Sequence, residues 1–176
     1  MKNLLLISLL FGFLFINNCS KNNKIETVNI GNNQIEEQMI KAYQDGMSSF
    51  NNKSYLEAAK KFNEAEILFP QSEWAPKASL MAAYAYYIDD YNNRAISELL
   101  SFFKKYPINP NTSYAHYLLA MSYYNKIIDE KKDTEPLKNS KKQFEYIVKN
   151  YPNTEFSLDS KFKLDFDNNF SDLYAH

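Results

Sequence analysis

One cysteine, three glycines and two histidines are all that 176 residues hold of the types that commonly build disulfides, phosphate loops and metal sites. The lone Cys19 has no partner for an intramolecular disulfide. Gly12, Gly31 and Gly46 are too scattered for a glycine-rich phosphate loop, and no Asn-Gly pair marks a hairpin turn. His116 and His176 match no Cys/His metal spacing, and no acid, base and nucleophile set can be built around them. His116 therefore reads as a packing or surface residue, and neither a cofactor nor enzymatic chemistry is expected. The 20 basic and 21 acidic residues lie in no block of one sign, which excludes the electrostatic footprint of a nucleic-acid binder.

What the chain does have is apolar and aromatic. Hydrophobic residues make up 45%, enough to bury a core, and 14 tyrosines and 13 phenylalanines supply ring packing. With so few turn formers, this composition favours helices over sheets.

After Lys2 comes "NLLLISLLFGFLFI", too short to span a bilayer and of the size of a signal-peptide core. It stops at "INNCS". Residues 1–18 with Cys19 resemble a bacterial lipoprotein signal, which implies acylation of Cys19, and the following Ser20 implies sorting to the outer membrane, at its periplasmic face. The other reading is an ordinary secretory signal with an incidental cysteine. Residues 19–33 are polar and Asn-rich and read as a flexible tether.

From Gln34 the sequence repeats itself. "LEAAKKFNEAEILFP" and "NRAISELLSFFKKYP" place Ala58 with Ala95, Phe62 with Leu99, Ala65 with Phe102 and Pro70 with Pro107, each pair 37 residues apart. "NSKKQFEYIVKNYP" brings Phe144, Ile147 and Pro152 to the same offsets, and upstream Gly46, Ala83 and Ala120 recur at the same period. Proline ends a helix because it lacks the N–H and its ring clashes with the preceding turn, so Pro70, Pro107 and Pro152 stop the second helices. Pro76 and Pro110 fall where the next helices begin. The spacing predicts helices at about 35–51, 55–69, 74–89, 92–106, 111–128 and 135–151, a seventh from about 156, and an irregular tail over 166–176. Eight extra residues in "DEKKDTEPLKNS" read as a tolerated surface loop.

These offsets resemble the tetratricopeptide repeat, which implies an all-α, right-handed solenoid of about three helix-turn-helix repeats plus a partial fourth over 34–165. In such arrays the first helices line a concave surface. Here that surface would collect Tyr43, Met47 and Phe50, then Leu80, Tyr84 and Tyr87, then Tyr114, Tyr117, Met121 and Tyr124, on one helix face each by their spacing. Two readings fit: a groove that captures a peptide by aromatic contact, or a stripe buried between repeats.

A closer resemblance rests on "AYAYY", on "YPINPNTSYAHYLLAMSYY" and on "KDTEP" ahead of "NYPNTEF". Over about 36–164 the chain resembles the BamD family of outer membrane lipoproteins. The resemblance implies a non-enzymatic scaffold that binds the barrel-forming subunit BamA and other Bam complex subunits and receives unfolded outer-membrane β-barrel proteins, whose signals are rich in aromatics. Other periplasmic repeat scaffolds, of Tol, cell-wall or pilus systems, are the alternative. The family has about five repeats and this pattern fades after "SKFKL", so a truncated or frameshifted form is expected.

Overall fold

The computed structural model describes residues 24–129 and 134–174. Its contacts divide the chain into two units, 1–34 and 35–176. The described residues form helices joined by short turns, with no strand among them: α1 is Lys24–Asn51, α2 Tyr55–Leu68, α3 Ala75–Ile88 and α4 Asn92–Lys105. Then come α5 at Thr112–Asp129, α6 at Glu135–Asn150 and α7 at Glu155–Tyr174.

Within the second unit each helix from α2 onward packs on the next, and α5 also touches α3 and α7. That is the neighbour pattern of stacked helix pairs, an all-α solenoid of the tetratricopeptide type.

The stops follow from local chemistry. Phe69, Tyr106 and Tyr151, the residues before Pro70, Pro107 and Pro152, have left the helical region, with φ of −142°, −127° and −130°. The proline ring forbids helical backbone to its predecessor, so the aromatic-Pro pair is the stop. Pro76 and Pro136 sit in the first turns of α3 and α6, where the missing N–H leaves no bond unmade.

Within the first two repeats the turn is made differently. Lys53 and Asp90, one repeat apart, have φ of 62° and 60°. The Lys53 N–H donates to the Phe50 carbonyl and the Ser54 N–H to Ser49; Asp90 donates to Tyr87 and Tyr91 to Tyr86 in the same way. This is the paired-bond helix ending that glycine usually makes.

The repeat positions form the core. Phe62, Leu99 and Phe144, at one offset, and Ala65, Phe102 and Ile147, at the next, are all fully buried. Gly46 explains its own lack of a side chain: a Cβ there would lie 2.8 Å from Cδ1 and Cε1 of the Phe62 ring. The Phe62 ring is enclosed and cannot step aside, so Gly46→Ala should lose about 1–3 kcal/mol to overpacking, outweighing a helix-propensity gain of about 1 kcal/mol. Urea unfolding checks this; an unchanged or raised midpoint would mean the ring moves freely.

Two boundaries differ from expectation. The tether expected over 19–33 is helical from Lys24, and the tail expected to be irregular from 166 stays helical to Tyr174. No proline or glycine follows Pro152, and Phe162, Phe166, Phe170 and Leu173 recur at helical spacing, so nothing in the sequence stops α7 there.

Candidate peptide-binding surface

The first helices of the pairs bring their rings together. Phe50 of α1 lies 5.6 Å from Tyr84 of α3, nearly parallel to it, and Tyr84 lies 6.5 Å from Tyr87 and 6.4 Å from Tyr114 of α5. Tyr114 then meets Phe156 of α7 at 5.5 Å, which meets Tyr117 at 5.3 Å. Tyr117 and Tyr124 both reach Phe144 of α6, at 6.4 and 6.3 Å. These separations are those of favourable offset and edge contacts between rings.

The two readings of the stripe therefore meet. Tyr43, Met47, Phe50, Tyr84, Tyr87, Tyr114, Tyr117, Met121 and Tyr124 are all half-buried: one side of each packs on a core cluster or a neighbouring ring, and part stays accessible. Leu80 is the exception. It is only 6% exposed and sits in the cluster with Ile96, Leu99 and Leu118, so it is a core residue and not part of any surface.

Two tyrosine hydroxyls are tied to carboxylates, one on this surface and one away from it. The Tyr117 hydroxyl donates to Asp159 Oδ2 at 2.7 Å. Between α2 and the end of α4, Glu66 accepts from the Tyr106 hydroxyl at 2.7 Å and from Lys105 Nζ at 3.0 Å. Burial first, and then the partner carboxylate, pushes the phenols of Tyr106 and Tyr117 well above the usual tyrosine range; burial does the same for Tyr114. A phenol held neutral by folding contributes stability that is complete below its unfolded value of about 10 and is lost as pH rises toward the folded value. Stability should therefore fall steeply above about pH 10, and Tyr106→Phe with Tyr117→Phe should flatten that fall. Thermal unfolding from pH 8 to 12 measures it; an identical slope in the variant would contradict the assignment.

His116 lies off this surface, at the junction of α4, α5 and α6. Its ring stacks 4.2 Å from Phe103 and meets Tyr146 at 4.3 Å, tilted by 42°, and Nδ1 is 2.9 Å from Gln143 Oε1. Burial lowers its pKa, so the imidazole is a neutral packing group.

A cleft of about 520 Å³ opens beside the first repeat. Its apolar wall is Ile40, Tyr43 and Met47 of α1 with Trp74 from the turn before α3; Gln44, Ser48, Asn51 and Asn52 add uncharged polar groups. The stripe read from the sequence contains Tyr43 and Met47 but none of the other six lining residues, Gln44, Asn51 and Trp74 among them. The available signals were the line 40, 44, 47, 51 along one face of α1 and the position of the chain's one tryptophan in an inter-repeat turn.

Among the described residues, no three His, Cys, Asp or Glu side chains gather in a way that could hold a metal ion. No described helix is long and apolar enough to cross a membrane. Cys19 and the apolar run before it lie outside the described residues.

A family model described as "YfiO: Outer membrane lipoprotein" matches residues 35–170. The "Outer membrane protein assembly factor BamD" of Caulobacter vibrioides is 33% identical over 123 residues, which is 70% of this chain and 40% of that protein. The protein of the same name from Rickettsia prowazekii is 33% identical over 133 residues, 76% of this chain and 53% of its own length. That of Neisseria gonorrhoeae is 30% identical over 130 residues, 68% of this chain and 49% of its own length. The chain spans about half the length of the curated relatives it matches.

Proposed function

Because this chain belongs to the YfiO family of outer membrane lipoproteins, we propose that it is an assembly factor for outer membrane β-barrel proteins. It acts as a scaffold without catalytic chemistry, held at the periplasmic face of the outer membrane by an acylated Cys19. Its partners are BamA, the barrel-forming subunit, with other Bam complex subunits, and its cargo is the unfolded barrel chain.

The observation that carries this reading is the run of half-buried rings from Phe50 through Tyr84 and Tyr114 to Phe156 and Tyr117. An unfolded barrel strand alternates apolar and polar side chains, so in extended form it presents its large apolar residues on one face. Tyrosines fixed by packing on one side meet such residues at little entropic cost, because their own rotamers are already restricted. Tyr43, Tyr84, Tyr87, Tyr114, Tyr117, Met121 and Tyr124 are the residues assigned to this contact. Many shallow contacts suit a carrier, which must release what it holds.

Affinity capture of the tagged, acylated protein from detergent-solubilised outer membranes tests the reading. Recovery of BamA with β-barrel precursors is expected. Recovery of Tol, cell-wall or pilus components in their place would move the chain to a different scaffold role.

A further inference from the structure

We propose that the cleft beside Trp74 binds a segment of extended, uncharged polypeptide and reads its backbone through the carboxamides of Gln44 and Asn51. The inference rests on the peptide-binding reading above and specifies the conformation and chemistry of the bound segment.

Charge complementarity sets the class of occupant. Every residue lining the cleft is uncharged. The nearest recorded charge is the exposed Lys77, whose Nζ lies 4.7 Å from the Trp74 ring centroid; the lining residues themselves offer an ammonium, a carboxylate or a phosphate no ion pair, so the match is neutral main chain carrying a large apolar side chain. The volume, about 520 Å³, suits one such side chain with its flanking backbone.

Spacing sets the conformation. Gln44 and Asn51 stand two turns apart on one face of α1, about 10.5 Å along its axis. About three residues of extended chain, at roughly 3.3 Å each, bridge that gap. Both side chains are exposed, and among the described residues neither has a hydrogen-bond partner. Each carboxamide both donates and accepts, so the pair can meet the N–H and C=O groups that a strand presents along its edge. Between them Met47, with Tyr43 and Trp74, receives the side chain that the strand directs inward.

Trp74 is the chain's one tryptophan, so its fluorescence reports occupancy of the cleft directly. The probe is a peptide of roughly eight residues, blocked at both ends, alternating Phe or Tyr with Thr or Gln. Its comparison carries N-methyl groups on the amides of one edge. On the intact chain, the first peptide should shift Trp74 emission and the N-methylated one should bind about tenfold more weakly. Gln44→Ala and Asn51→Ala should each weaken the first peptide about threefold and leave the second unaffected. Equal binding of both peptides would overturn backbone reading while leaving peptide capture intact. Binding that leaves Trp74 emission unchanged would likewise overturn the cleft as the site. If the first peptide binds nowhere, as judged by calorimetry, capture and this inference fail together.

Discussion

Phe102→Ala should lower the unfolding free energy by about 3–5 kcal/mol, because it deletes a fully enclosed ring at the junction of the second and third repeats. Phe102 packs in one cluster with Leu99 of its own helix and Ala115, Leu118 and Leu119 of α5, and its ring stands 5.8 Å from Phe103 and 5.4 Å from Tyr106. Around it Glu66, Lys105 and Tyr106 join α2 to the end of α4, so the hole cannot close by a simple shift of one helix. A domain of ordinary stability has about 5–15 kcal/mol in hand, so the variant is expected to be marginal. In a stack stabilised by nearest neighbours the loss should also be transmitted, loosening α5 before α2. Urea unfolding and amide exchange measure both effects. Tyr91→Ala, at an exposed position, serves as the control and should change stability by less than about 0.5 kcal/mol. A loss below about 1.5 kcal/mol at Phe102 would show that the junction collapses around the hole.

Replacing Tyr84 and Tyr87 together with alanine should weaken binding of an aromatic-rich barrel strand peptide about 10- to 100-fold. Both rings lie on α3 in the middle of the ladder, and Tyr84 is the link between Phe50 and Tyr114. Among the described residues neither hydroxyl has a hydrogen-bond partner, so the phenylalanine pair should keep most of the affinity while the alanine pair loses it. Removing two half-buried rings also destabilises the fold, and binding should therefore be measured well below the melting transition, with helical content checked by circular dichroism. Unchanged affinity in a folded alanine variant would remove this surface from the peptide-binding account.

Much of the fold was legible because one chemical device recurs. The aromatic-Pro pairs ending at Pro70, Pro107 and Pro152 end their helices at or within a residue or two of where the spacing puts them, and the small residues Gly46, Ala83 and Ala120 share one offset. What escaped the sequence has physical reasons too. Lys53 and Asp90 adopt a left-handed backbone, which aspartate tolerates better than most residues but lysine does not signal, so only their spacing of one repeat hints at a shared turn. Spacing of four and three residues places Leu80 and Tyr84 on one helix face but cannot say how deep each lies, and depth separates the core leucine from the accessible tyrosine. The polar ties, Tyr117 to Asp159 and Glu66 to Lys105 and Tyr106, join residues about one repeat apart and have no local pattern. The cleft at Trp74 needs the turn before α3 to be folded against α1, a proximity that no window of sequence contains.

The most direct test of the central claim is photo-crosslinking from Tyr87 in living cells, with a benzophenone amino acid in its place and outer membrane assembly in progress. Adducts with unfolded β-barrel precursors, lost when Tyr84 is also changed to alanine, are the result this account requires. Adducts confined to Tol, cell-wall or pilus proteins, or none to any β-barrel precursor while the protein is folded and membrane-bound, would contradict it.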